Sequence, residues 1–201
     1  QFDAIVVGSG ITGGWAAKEL TEKGLTVLML DRGRMVEHGK DYIAEHIPPW
    51  DIPHRGKPLR ELYDKDYPVQ SKLYAFNETT RHFFVNDREN PYVNQPDSFL
   101  WHRADVVGGK SLLWGRQTYR WSDLDFEANR RDGNGLDWPI RYKDIAPWYS
   151  YVEKFIGVSG QKENLPQLPD SEFLPPMQMN VMEKHVKAKV EQQFSDRHMT
   201  I

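Results

Sequence analysis

The sequence predicts a mixed α/β fold built on a parallel sheet, and three observations predict it. A β-rich apolar run, Phe2 to Val7, leads directly into a glycine-rich turn, Gly8-Ser9-Gly10-Ile11-Thr12-Gly13-Gly14. Trp15 to Lys23 then has a helical pattern, with Ala16, Ala17 and Leu20 on one face and Lys18, Glu19, Glu22 and Lys23 on the other. Beyond Gly24, the expected helix stop, Leu25 to Leu30 is a continuous apolar run of the kind buried on both faces in a parallel sheet. Strand, turn, helix and strand fit into about 30 residues, the span of one βαβ unit.

Further along, the pattern changes. From Arg34 to about Ser98, Pro48, Pro49, Pro53, Pro58, Pro68, Pro91 and Pro96 break any period, and aromatic residues are scattered. This predicts a long irregular insertion, about 34–98, packed on the surface of the α/β core as a lid or subunit contact. Phe99 to Val107 is strand-like again. Tyr142 to Ile156 predicts a helix, with Ile145, Trp148, Tyr149, Val152 and Ile156 at helical spacing and Gly157 closing it. Residues 159–176 are rich in Pro, Gly and polar residues, as a crossing between domains would be, and Val181 to Phe194 predicts a last amphipathic helix.

Composition narrows the function. The chain of 201 residues is 39% hydrophobic, 27% charged and 12% aromatic, enough apolar material for a packed core. Its 26 basic and 29 acidic residues give a formal charge of -3, which offers no general attraction to nucleic acid or to an anionic membrane surface. No apolar run approaches the roughly 20 residues of a membrane-spanning helix, so no direct membrane insertion is expected. The absence of cysteine excludes disulfides, thiolate metal sites and cysteine nucleophiles, and leaves a soluble protein of the cytoplasm or periplasm equally open. The start at Gln1 and the strand-like end Met199-Thr200-Ile201 lead us to expect the N-terminal part of a longer protein, with any signal peptide absent or removed.

Gly8, Gly10 and Gly13 form G-x-G-x-x-G between a predicted strand and a predicted helix. The first glycine allows the tight turn, the second lets backbone approach a pyrophosphate, and the third lets helix pack on strand. The helix N-terminus supplies free N–H groups and partial positive charge for the phosphates. Asp31 ends the second strand, 18 residues after Gly13, where a carboxylate accepts hydrogen bonds from ribose hydroxyls. Thr12 in the turn and Arg32 beside Asp31 join the candidates. Together these features predict a Rossmann-like dinucleotide-binding domain. An acidic strand end disfavours NADP and does not separate NAD from FAD.

A second motif favours FAD. Arg103-Ala104-Asp105-Val106-Val107-Gly108-Gly109-Lys110-Ser111-Leu112-Leu113-Trp114-Gly115 begins about 75 residues after Asp31, and its glycine pair suits a long ligand whose flavin end lies against backbone. A third segment runs from Asp137-Trp138-Pro139-Ile140-Arg141-Tyr142 to Gly157-Val158-Ser159-Gly160. With these three ordered motifs, the chain resembles the glucose–methanol–choline (GMC) family of flavin oxidoreductases over most of residues 2–160, apart from the insertion. Lys110 and Trp114 depart from the common family pattern and resemble the branch of pyranose oxidases and bacterial gluconate- or sugar-dehydrogenase large subunits.

The resemblance implies FAD, with Gly8, Gly10 and Gly13 at the pyrophosphate and Asp31 at the adenosine ribose. It places Gly108, Gly109 and Ser111 along the flavin or its pyrophosphate, and Trp114 near the flavin. Pyranose oxidases attach flavin through a His at the position of Leu113, so non-covalent FAD is expected here. The implied domains are an FAD-binding domain over 1–160, with the insertion, and the start of an α+β substrate domain over 161–201, cut short. Trp138 and Trp148 are expected in the core.

The implied reaction is oxidation of a CH–OH group of a sugar, sugar acid or polyol by hydride transfer to flavin N5 while a base removes the hydroxyl proton. Electrons then pass to an external acceptor, either oxygen or an electron-acceptor protein or subunit. In the resembled family the base is a His near the far end of a longer chain, and no His here matches that context. His38, His46, His54, His82, His185 and His198 are read as surface or isolated residues, and His102 is the one that precedes the flavin motif. No catalytic residue and no metal site are assigned. Arg116, Arg120, Arg130 and Arg131 are expected to pair with nearby Asp123, Asp125, Glu127 and Asp132. Two rival readings remain: an FAD-binding module without catalysis of its own, and an NAD-dependent dehydrogenase that leaves the second glycine motif unexplained.

Overall fold

The computed structural model describes residues 1–93, 99–197 and 199, and the chain divides into two compact units, 1–115 and 116–201. Residues 94–98 of the expected insertion, His198 and the terminal Thr200-Ile201 lie outside the described residues.

In the first unit, β1 (Ala4–Val7) and β2 (Val27–Leu30) form a two-stranded parallel sheet, joined by helix α1 (Ile11–Glu22). The register sets Ala4 against Val27 and Val7 against Leu30. Two bonds fix its ends: Asp3 N donates to Thr26 O at 2.9 Å, and Gly8 N donates to Leu30 O at 2.7 Å. The fold is therefore mixed α/β with a small parallel sheet. Leu25 to Leu30 is not buried on both faces as expected, because Leu25, Met29 and Leu30 are 40%, 37% and 47% exposed; in β1, Ile5 and Val7 are 63% and 82% exposed. Along α1 the faces also differ from expectation: Ala16 is exposed, while Lys18 and Glu19 are half-buried. Lys18 sets its Nζ over the Trp15 ring, 5.2 Å from the centroid, and pairs with Glu19 and Glu22.

The insertion is not a surface addition. Tyr63, Phe76, Phe83, Phe84 and Val85 are buried, and with Val106 they are the buried apolar residues of this unit among those described. Helix α2 (Arg60–Asp66) brings Tyr63 edge-on to Phe76 at 4.8 Å, and Phe76 meets Phe84 at 5.0 Å. The aromatic residues without a period thus build a core.

Phe99 to Val107, expected as a strand, makes only single bridges, Ala104 antiparallel to Phe84 and Val106 parallel to Arg34. It runs between one antiparallel and one parallel neighbour, and each stays alongside for a single bridge only. Bonds from Val85 N to Arg103 O, Asp105 N to Phe83 O and Val107 N to Arg34 O hold it from both sides.

The second unit is helical among the described residues, apart from isolated bridges such as Ser159 to Leu174. Short helices α3 (Asp123–Phe126) and α4 (Ala128–Asp132) precede α5 (Tyr142–Ile156) and α6 (Val181–Gln193). Helix α5 spans the predicted residues and ends at Gly157 with φ 74°. Ser122 with Asp125, and Asn180 with Glu183, form reciprocal capping boxes at α3 and α6. Trp138 and Trp148, expected in the core, are 44% and 65% exposed. The buried residue of α5 is Glu153, and the apolar stripe around it is only partly covered. No described helix is long and apolar enough to cross a membrane.

Candidate cofactor site

The three glycines of the first motif have three different surroundings. Gly8 has φ 92°, a conformation that strains any residue with a Cβ. A Cβ at Gly13 would stand 1.9 Å from the Gly8 carbonyl oxygen, so glycine is required for α1 to pack on the turn. Gly10 has φ -63° and ψ -176°, accessible to any residue, and a Cβ there or at Gly14 would meet no atom within 4 Å. The space beside Gly10 is open. Gly10 caps α1 without a side-chain hydrogen bond, and the amides of the first turn, which carries Thr12, lack intrahelical partners and bear the helix's partial positive charge.

Asp31 follows β2 and turns back to this loop. Its Oδ2 accepts from Ser9 N at 2.8 Å and from Ser9 Oγ at 2.5 Å, and its Oδ1 accepts from Gly33 N at 2.7 Å. The Ser9 hydroxyl, above all, holds the carboxyl below the usual carboxylate range, with help from the Ser9 and Gly33 amides and from Arg32, against a smaller desolvation cost. Asp31 is exposed and ionised. Its neighbour Arg32 donates from Nε to Asp105 Oδ1 at 2.9 Å, tying the end of β2 to the approach of the second motif.

That motif arrives at the same place. Gly108 and Gly109 both have positive φ, 94° and 55°, and open a tight turn over Gly109–Leu112. Ser111 Oγ donates to Gly108 O at 2.5 Å and fixes the turn. Gly108 N donates to Ser9 Oγ at 2.8 Å, and a Cβ at Gly109 would lie 3.7 Å from Gly10 Cα. Two glycine turns about a hundred residues apart in sequence are therefore in contact. Trp114, 39% exposed, follows them. Leu113 packs against the cluster of Tyr63, Phe76 and Phe84.

Sequence reasoning missed Ser9, which joins Gly108 to Asp31, and Asp105, the partner of Arg32. The only signal for Ser9 was a hydroxyl between the first two glycines. It also missed Gln70, whose fully buried side chain donates to Asp87 Oδ1 and Trp101 O and accepts from Arg103 N, anchoring the strand-like run that carries the second motif.

Other candidates lie elsewhere. His82 Nε2 is 2.7 Å from Asp41 O, His38 faces Glu45 at 3.8 Å, and His102 Nε2 is buried without a hydrogen-bond partner. Arg130 and Arg131 pair with Glu127, one of the expected partners. Arg120 instead forms a buried pair with Glu153. Among the described residues, no three His, Asp or Glu side chains converge to hold a metal.

No protein-family model matches the sequence. Curated proteins do. The chain is 28% identical over 160 residues to the fructose dehydrogenase large subunit of Gluconobacter japonicus, covering 79% of this chain and 27% of that protein. It is 25% identical over 165 residues to paromamine 6'-oxidase of Streptomyces fradiae, covering 81% and 24%. It is 25% identical over 172 residues to the gluconate 2-dehydrogenase flavoprotein of Pantoea cypripedii, covering 80% and 26%. These similar proteins are GMC-type flavin oxidoreductases. The chain spans about a quarter of the length of these curated relatives. The site of this chain fits a dinucleotide: open space beside Gly10 and Gly14, unpaired helix amides, and an ionised carboxylate at the end of β2.

Proposed function

We propose that this chain is the FAD-binding part of an enzyme that oxidises a CH–OH group of a sugar, sugar acid or polyol and passes the electrons to an external acceptor. One observation carries the proposal: the two glycine turns meet, Gly108 N on Ser9 Oγ and Gly109 beside Gly10. NAD needs the first turn only. A second backbone turn docked on it suits a longer ligand with a flat ring system beyond its phosphates. Relatives named for fructose and gluconate support the substrate class, and the word "large subunit" in one name supports an acceptor protein or subunit.

In this proposal the amides at Gly10, Thr12 and Gly13 hold the pyrophosphate, Gly8 shapes the turn beneath it with its own N–H bonded to Leu30 O, and Asp31 with Arg32 holds the adenosine ribose. Gly108, Gly109, Ser111 and Trp114 line the flavin end. FAD, when bound, supplies the hydride-accepting centre at N5. The cofactor is held without a covalent bond, since Leu113 occupies the position of the histidyl link in the resembled branch and packs inward. The catalytic base comes from outside these residues. Residues 1–160 form the FAD-binding domain in this scheme, across the boundary of the compact units, and 161–201 begin the substrate domain.

The test is titration of the full-length protein with FAD and, separately, NAD, followed by flavin fluorescence and visible absorption. Saturable FAD binding, weakened by Gly10→Val and by Asp31→Ala, is expected. NAD binding without FAD binding overturns the proposal. Turnover with fructose or gluconate, read as dye reduction against hydrogen peroxide, then identifies the acceptor.

A further inference from the structure

We propose that Asn134 is a site of spontaneous covalent modification, where the Gly135 nitrogen attacks the Asn134 side-chain amide and water completes its conversion to aspartate and isoaspartate. Asn134 and Gly135 are exposed and follow helix α4 in a turn where Gly135 has φ 69°. Asn134 is the only asparagine of the chain followed by glycine. No Cβ at residue 135 shields the nucleophile or restrains the backbone that swings it towards Cγ. Among the described residues, neither the Asn134 side chain nor the Gly135 N–H has a hydrogen-bond partner.

The other described asparagines differ. Asn77, Asn86 and Asn180 have Oδ1 bonded to backbone N–H groups, and Asn129 donates its Nδ2 to Leu136 O. Asn90 precedes Pro91, which has no N–H to attack with. Asn164 precedes Leu165, whose branched side chain crowds its own nitrogen. The neighbouring Asp132–Gly133 pair is held back, because Gly133 N–H is bonded to Asn129 O.

The step needs water and no oxidant or reductant. Gly135 N gives its proton to solvent and bonds to Asn134 Cγ, the Cγ–Nδ2 bond breaks, and ammonia leaves. Water then opens the cyclic imide. Opening at Cγ gives aspartate, and opening at the main-chain carbonyl gives isoaspartate, whose backbone path is longer by one atom. Asn129 straddles this point, since its O accepts from Asn134 N at 3.0 Å and its Nδ2 donates to Leu136 O at 2.8 Å. The longer path does not fit between those two bonds, so the turn after α4 opens.

The full-length protein is incubated at mildly alkaline pH, folded and in urea, and each asparagine is followed by peptide mass spectrometry. The expected result in the folded protein is loss of the side-chain amide at Asn134 ahead of every other asparagine, with aspartate and isoaspartate both formed. Asn134→Gln, which would need a larger ring, is expected to abolish it. Amide exchange across residues 132–141 is expected to quicken once isoaspartate forms. Survival of Asn134 in the folded protein, whether or not it reacts in urea, overturns the proposal, and so does faster loss at another asparagine. Aspartate without isoaspartate means direct hydrolysis by water and no attack by Gly135, and also overturns it. Unchanged exchange overturns the opening of the turn.

Discussion

Gly13 lies so close to Gly8 that a Cβ at Gly13 would stand 1.9 Å from the Gly8 carbonyl oxygen, whereas a Cβ at Gly10 would touch nothing within 4 Å. The two glycines therefore answer to different demands, one to the protein and one to the ligand. Gly13→Ala is expected to cost about 3 kcal/mol of stability, the upper range for overpacking, read from urea denaturation. Gly10→Ala is expected to leave the apoprotein within about 1 kcal/mol of wild type and to weaken FAD binding at least about tenfold.

Ser9→Ala is expected to weaken FAD binding about tenfold, and Ser9→Thr to restore most of it, because Thr keeps the hydroxyl. A pH signature accompanies the loss. The folded-state pKa of Asp31 lies below its ordinary 3.8, so its contribution to stability is present above that value and is lost as pH falls through the lowered one. Removing the hydroxyl removes the largest cause of the lowering, and the acid limb moves towards pH 3.8. Arg32, itself paired with Asp105, is the nearest opposing charge and remains in the variant. Carboxyl NMR titration of Asp31 in both proteins checks the direction.

Gln70→Leu keeps the volume and removes the bonds. It leaves Asp87 Oδ1, Trp101 O and Arg103 N without their buried partner. A loss of about 3 kcal/mol is expected in denaturant unfolding. A fall in FAD affinity should accompany it, since Arg103 leads into the second glycine motif. Unchanged affinity at reduced stability would separate the insertion from the site.

The buried pair Arg120 and Glu153 is the polar centre of the second unit, with Tyr142 and Ser150 on the arginine and Ser171 on the carboxylate. Burial pushes the Glu153 carboxyl up, but hydrogen bonds from Arg120 and Ser171 together with the arginine charge outweigh it and leave it lowered. Its stabilisation is thus present above the usual glutamate range and is lost as pH falls through the lowered value. Glu153→Gln, which strands a buried guanidinium, is expected to cost about 3–5 kcal/mol in thermal or urea unfolding. The double change Arg120→Met with Glu153→Leu should cost less than that single one.

Much of this was legible in the sequence where the cause is local. Helix α5 could be bounded because apolar spacing and a left-handed Gly157 are properties of adjacent residues. The β1–α1–β2 unit was legible for the same reason, including the glycine that stops α1. Burial was not. Trp148 has the spacing of a core residue and stands in the open, while Glu153 beside it is buried because Arg120, 33 residues away, neutralises it. The run to Val107 has strand composition, but a strand also needs a neighbour that stays alongside it for more than one bridge, and composition does not report that. Ser9 was overlooked because its two partners are 22 and 99 residues distant.

Residues 103–107 are clamped from both sides. Phe83 to Val85 grip this segment on one side and Arg34 on the other, and a Cβ at Gly33 would stand 2.3 Å from Val106 N. The insertion is a splint that sets where the second turn comes to rest. Its outer reaches around His54, where the backbone is exposed and irregular, take no part in that grip. Without the stretch through Val85 the second turn would lose the grip that seats it against the first, so the two glycine turns depend on a segment that belongs to neither.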